Sequence, residues 1–87
     1  MLYAAKCYWP GVQPADVETV GTRFDQCGPE RPDDNLTYRG SLLFSPDDLV
    51  LCLFEGPSRI VVKRASERIG IPCERVMDSI WLAPRGG

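Results

Sequence analysis

Histidine is missing from all 87 residues of the chain. Its absence removes the commonest general base and metal ligand, which excludes Ser-His-Asp and Cys-His machinery and the usual His-containing zinc sites supplied in cis. Acid–base chemistry would fall to Asp, Glu, Lys, Tyr or Cys. A basic excess is missing too: 10 Lys and Arg stand against 12 Asp and Glu, a net charge of −2. A nucleic-acid footprint needs clustered positive charge, so no such partner is expected. The four cysteines, Cys7, Cys27, Cys52 and Cys73, include no C-x-x-C pair, whereas zinc ribbons and redox motifs need two thiols on one short turn. The opening MLYAAKCYW has neither a basic n-region nor a long apolar h-region. The reading is therefore a cytoplasmic protein with reduced thiols that pack as small hydrophobes, no membrane partner and no cofactor. The even cysteine count leaves a secreted domain with two disulfides as the alternative.

What is present amounts to one domain, residues 1–83, followed by a flexible tail, 84–87. A chain this short buries only roughly 60–65% of its unfolded surface and often gains from oligomerising. Leu2 to Trp9 reads as a first strand ended by Pro10-Gly11, with Tyr3, Ala5, Cys7 and Trp9 on one face and Leu2, Ala4, Lys6 and Tyr8 on the other. Pro14 suits a first helical position, Asp16 and Glu18 suit a first turn, and Val17, Val20, Phe24 and Cys27 recur at helical spacing before Gly28. That spacing predicts a helix over about Pro14–Cys27, although Gln13 is a poor N-cap. Gly28 to Asn35, with two prolines and four charges, predicts a mobile loop.

Leu36 to Phe44 alternates, Ser45-Pro46-Asp47-Asp48 is a turn signal, and Leu49 to Glu55 is nearly all apolar, so a hairpin with a central second arm is expected. Ser58 caps a second helix whose stripe holds Val61 or Val62, Ala65 and Ile69, and Gly70 occupies the position where a left-handed residue ends a helix. Arg59, Lys63, Arg64, Glu67 and Arg68 form its outer, solvated face. Arg75 to Leu82 alternates as a last strand. Strand, helix, strand, strand, helix, strand is the order of a ferredoxin-like α+β sandwich, a four-stranded antiparallel sheet with both helices on one face.

In that fold one sheet face stays uncovered in a monomer, and an apolar uncovered face marks a partner or ligand. Tyr3, Ala5, Cys7, Gly40, Leu42, Phe44, Val50, Cys52 and Phe54 are expected toward the helices. Lys6, Tyr8, Arg39, Ser41, Leu51, Leu53 and Glu55 are then expected on the open face, with Lys6 and Glu55 facing one another. From the last strand, either Val76, Asp78 and Ile80 or Met77, Ser79 and Trp81 would join them. The plainer reading of Lys6 and Glu55 is an ion pair at a dimer interface. The sharper one is a cavity for a small anionic or aromatic ligand, in which Lys6 and Arg39 hold an anionic oxygen, Tyr8 and Trp81 form apolar walls, and Glu55 accepts a hydrogen bond or acts as base. Cys7 and Cys52 read as core packing, Cys27 and Cys73 as more exposed.

The segments MLYAAKCYWPGV, YRGSLLFSPDD, LCLFEGPS and RASERIGIPCERV together resemble a family of small bacterial ferredoxin-like proteins, common in actinomycetes, known as nickel-binding domains of otherwise unknown function. The resemblance runs from Leu2 to Leu82, and its most specific piece is Cys52, Leu53, Glu55, Pro57 and Ser58. It implies a homodimer with sheet faces packed together, the dimeric α+β barrel. The metal does not carry over: nickel-binding relatives place a histidine at about the position of Lys6, and an ammonium group there repels a cation. The expectation is a dimeric small-molecule-binding or accessory protein of this nickel-binding-like family without nickel, with its ligand on the sheet face away from the helices. The alternative is a cofactor-free dimeric-barrel isomerase, cyclase or monooxygenase on an aromatic or polyketide-like substrate. Arg85-Gly86-Gly87 also resembles the diglycine end of ubiquitin-like modifiers, but those folds begin with a hairpin rather than a strand and a helix.

Overall fold

The computed structural model describes residues 1–27 and 35–85. Of the loop expected over Gly28–Asn35, residues 28–34 lie outside the described residues, as do the two tail glycines. The elements are β1 (Leu2–Tyr8), α1 (Pro14–Cys27), β2 (Thr37–Phe44), β3 (Leu49–Glu55), α2 (Arg59–Ile69) and β4 (Cys73–Ser79), with a 3-10 turn at Ser45–Asp47 joining β2 to β3. The strands form one antiparallel sheet in the order β2-β3-β1-β4, which is the ferredoxin-like arrangement.

Local chemistry explains most of the boundaries. Asp16 reaches back from the first turn of α1 and accepts a hydrogen bond from the Gln13 backbone N–H at 2.9 Å, which offsets the poor cap at Gln13. The Ser58 hydroxyl accepts from the Val61 N–H at 3.3 Å at the start of α2. At its end Gly70 adopts φ 79 and donates to the Ser66 and Glu67 carbonyls, a left-handed stop that glycine enters without a Cβ clash. Between β2 and β3, Asp48 takes φ 51 and its carbonyl accepts from Trp9 N at 2.7 Å, tying the turn to the end of β1.

The core lies between the sheet and the two helices. Tyr3, Ala5, Cys7, Val50, Cys52 and Phe54 meet Val20, Phe24, Val62 and Ile69 there. The rings of Phe24, Tyr38 and Phe54 pack with centroids 5.4–6.2 Å apart, within the range of favourable tilted aromatic pairs. The two helices are joined at their C-terminal ends, where Arg68 Nε donates to the Cys27 carbonyl at 3.3 Å and the Cys27 thiol donates to the Arg23 and Arg68 carbonyls.

Two expectations need correction. Gly40, Leu42 and Phe44 were expected toward the helices. Instead, a bulge at Arg39–Gly40 puts one extra residue into β2, so Gly40 pairs with Leu53, Ser41 with Cys52, Leu42 with Leu51 and Leu43 with Val50. Because side chains alternate with period two, one inserted residue exchanges the faces beyond it. Leu42 and Phe44 therefore lie on the open face, 53% and 41% exposed, while Ser41 turns inward to Tyr38 and the Cys52 sulfur. Gly40 has φ 127, a conformation other residues rarely adopt. The second correction concerns β4, which begins at Cys73 and stops at Ser79. Ser79 pairs with Leu2, the first residue of β1, so Ile80, Trp81 and Leu82 have no neighbouring strand to extend the ladder.

Candidate functional site

Two regions carry more chemistry than packing requires: the open sheet face and the thiol cluster where β4 begins. On the open face, β1 contributes Leu2, Ala4, Lys6 and Tyr8, and β3 contributes Leu49, Leu51, Leu53 and Glu55 directly beside them. Gly40, Leu42 and Phe44 join from β2, Met77 and Ser79 from β4. The last strand thus presents the Met77 and Ser79 set, while Asp78 lies on the helix side, 3.4 Å from Arg59. Apolar side chains dominate the face, and Tyr8 is 52% exposed on it.

The five side chains expected to form a site do not converge within the single chain. Lys6 stands opposite Leu51 on one side and Arg75 on the other, with its Nζ 3.8 Å from Glu74 Oε2. Glu55 is four positions further along β3, opposite Leu2 and Thr37, roughly 13 Å away at strand rise. The expected Lys6–Glu55 juxtaposition is therefore absent, because the antiparallel register puts the two residues at opposite ends of the face. Glu55 instead accepts a hydrogen bond from Arg39 at 2.9 Å, and the guanidinium holds its carboxyl below the usual carboxylate range. Tyr8 lies opposite Leu49, at the Lys6 end. Trp81 follows the end of β4 and is 76% exposed, too far in solvent to wall a cavity.

A groove of about 580 Å³ opens between α2 and β4, lined by Arg59, Ile60, Lys63, Arg64, Glu67, Arg75 and Val76. The outer residues of α2, expected to be simply solvated, thus form one wall of a basic depression. Lys63 crosses it to donate from Nζ to the Cys73 carbonyl oxygen at 2.9 Å.

Beside Lys63 lies the thiol cluster. All four cysteines are free. Cys7 and Cys52 are fully buried, as expected; the Cys7 thiol donates to the Ala5 carbonyl at 3.6 Å, and Cys52 and Cys73 lie close enough to it to shift its ionisation. Cys73 is half-buried under α2 and donates to the Arg75 carbonyl at 3.4 Å. Hydrogen bonding with Cys7 draws the Cys73 thiol down to about 7 against the opposing effect of burial, with further help from the Lys63 ammonium and Ser66. The complementary effect falls on Cys7, whose thiol is pushed far up by its two thiol partners and by burial. Cys52 is lowered by Cys7, with the Ser41 hydroxyl assisting against burial. Sequence reasoning missed this cluster because its partners lie on three strands; only the pairing of β1 with both β3 and β4 brings them together.

Among the described residues no group of three or more His, Cys, Asp and Glu side chains could hold a metal ion, and no helix is long and apolar enough to cross a membrane. No protein-family model matches the chain, and no curated protein matches it either. Among solved structures, the protein SCO4226 from Streptomyces coelicolor A3(2) is similar in fold: TM-score 0.77 at 18% sequence identity, over 95% of this chain and all of that one. At that identity the likeness establishes the ferredoxin-like α+β fold.

Proposed function

We propose that the protein is a cytoplasmic bacterial homodimer, joined through its open sheet faces, that binds a small anionic or aromatic molecule at that junction as an accessory protein. The observation that carries this reading is the uncovered face itself. Tyr8, Leu42 and Phe44 are exposed on it, and the half-buried Leu49, Leu51, Leu53 and Met77 join them into one contiguous apolar surface, the kind of patch that marks an interaction site. Ion pairs bound it, with Arg39–Glu55 at one end and Lys6–Glu74 at the other. An apolar centre with a charged rim is the ordinary anatomy of an interface, and a two-fold axis requires only that one surface complement itself. Lys6, Tyr8, Arg39 and Glu55 would then border the junction from both copies. The enzyme alternative needed Lys6 and Glu55 side by side, and their separate ion pairs give it no support.

The same reading treats the chain as a relative of the nickel-binding family that has lost the metal. Lys6, at about the relatives' histidine position, is an ammonium beside Glu74 and offers no lone pair to a cation while it remains charged.

Native mass spectrometry of untagged protein tests the proposal. The expected result is a species of twice the 9.7 kDa chain mass carrying additional mass from a small molecule. A bare monomer at micromolar concentration would overturn it. Titration calorimetry with nickel should give no binding heat, and micromolar nickel affinity would restore the metal.

A further inference from the structure

We propose that Cys73 and Cys7 form a reactive dithiol: Cys73 attacks the O–O bond of a hydroperoxide, and Cys7 then resolves the product into a disulfide bridging β1 and β4. Nothing in the dimer or ligand reading requires this activity, and it stands on a different part of the molecule.

Geometry selects the pair. Cys7 and Cys73 are direct partners in the β1–β4 register, at the point where that register shifts, and each thiol acts on the ionisation of the other. Directly opposed residues of antiparallel strands have Cα atoms about 4.5–5.5 Å apart, inside the span a disulfide closes. Cys52 does not qualify. It stands opposite Ala5 while Cys7 stands opposite Val50, a diagonal relation with Cα atoms about 7–8 Å apart, and it is fully buried. Cys27 is exposed at the end of α1, with its thiol on the Arg23 and Arg68 carbonyls.

Exposure divides the roles. Cys7 is sealed in the core, whereas Cys73 is half-buried and accessible. Lys63, held by its bond to the Cys73 carbonyl, supplies the positive charge that favours a thiolate. A low thiol pKa agrees with this arrangement. Cys7, kept protonated beside a Cys73 thiolate, is no nucleophile in the reduced protein. Cys52 and burial continue to hold the Cys7 proton once Cys73 is a neutral sulfenic acid, so that proton leaves with the departing hydroxyl rather than beforehand.

In the first step the Cys73 thiolate forms an S–O bond as the O–O bond breaks; the sulfur loses two electrons to the peroxide, and the departing alkoxide or hydroxide takes a proton from solvent. In the second, the Cys7 sulfur forms the S–S bond as the S–O bond breaks, and the hydroxyl leaves with the Cys7 proton as water. Two thiols and one hydroperoxide thus give one disulfide, one alcohol and one water. An external dithiol reverses the change by exchange.

The test uses the whole, reduced protein and one equivalent of hydrogen peroxide, followed by peptide mapping under non-reducing conditions. A Cys7–Cys73 cross-linked peptide, lighter by two hydrogens than the reduced pair, is expected. Peroxide consumption should fall about ten-fold or more in Cys73→Ala. In Cys7→Ala, a cyclic 1,3-diketone should label Cys73 as the trapped sulfenic acid. Oxidation confined to Cys27, or Cys73 carried to sulfonic acid with Cys7 untouched, would overturn the proposal. The mapping needs no variant, so poor folding of Cys7→Ala leaves it decisive.

Discussion

A cysteine on a strand is ordinarily inert packing, and Cys52 shows why: fully buried, it offers no approach to a reagent. Cys73 differs in three local respects, namely partial exposure, the Cys7 thiol opposite it, and the Lys63 ammonium held against its own carbonyl. Its thiol is drawn from an ordinary 9.0 to about 7, so the reactive thiolate grows in as pH rises through that value. Iodoacetamide labelling of Cys73, followed by mass spectrometry, should be half-maximal near pH 7, while Lys63→Met should shift the profile to higher pH and slow labelling at neutrality several-fold. A Cys73 profile centred near 9 would contradict it. Linkage gives the stability its sign. A thiol lowered by folding contributes stability that is fully present above about pH 9 and is lost as pH falls through about 7. The raised Cys7 acts oppositely, since above pH 9 the unfolded chain releases a proton that the folded chain keeps. None of this was legible in residue spacing, because positions 7 and 73 meet only through sheet pairing.

Elements whose ends are set by local chemistry were readable in advance. Ser58 and Gly70 bracket α2 through the cap and left-handed stop that their residue types favour. Ser58→Ala should cost about 1 kcal/mol, and Gly70→Ala about 1 kcal/mol or more from the Cβ strain at positive φ, both read from urea unfolding. Helix α1 was equally legible, with Asp16 accepting from the Gln13 N–H at its start. Strand β2 was legible as a strand but not in its faces. Alternation alone carried Tyr38 inward and therefore Leu42 and Phe44 with it, and nothing in TYRGSLLF announces the bulge except Gly40, whose φ of 127 is known only after folding. The consequence is measurable. Phe54, at the centre of the aromatic trio, should cost about 3–5 kcal/mol on truncation to Ala, whereas Phe44→Ser should leave the unfolding midpoint of the isolated subunit nearly unchanged.

For the whole molecule, the bulge strengthens the argument for association. Before the face exchange, the open surface consisted of Tyr8, Leu51 and Leu53 among polar neighbours, with Arg39 and Ser41 on β2. After it, Leu42 and Phe44 extend the apolar surface across β2, Ser41 leaves it, and Met77 continues it onto β4. The fold and the existence of an open face were legible because element order dictates them; its composition was not, because that depends on one inserted residue. Leu51 is flanked by Lys6 on β1 and Leu42 on β2, so an arginine placed there would stand beside the like charge of Lys6 and would meet its own copy's apolar surface. Leu51→Arg should therefore convert the proposed dimer to a monomer of 9.7 kDa in sedimentation velocity while the far-UV spectrum remains that of the folded subunit, because Leu51 contributes nothing to the helix-side core. Arg39→Ala, at the rim, should leave the dimer intact and alter mainly its salt dependence. A wild-type protein that sediments as a monomer, or a Leu51→Arg variant that still dimerises, would mean that something other than a second copy covers this face.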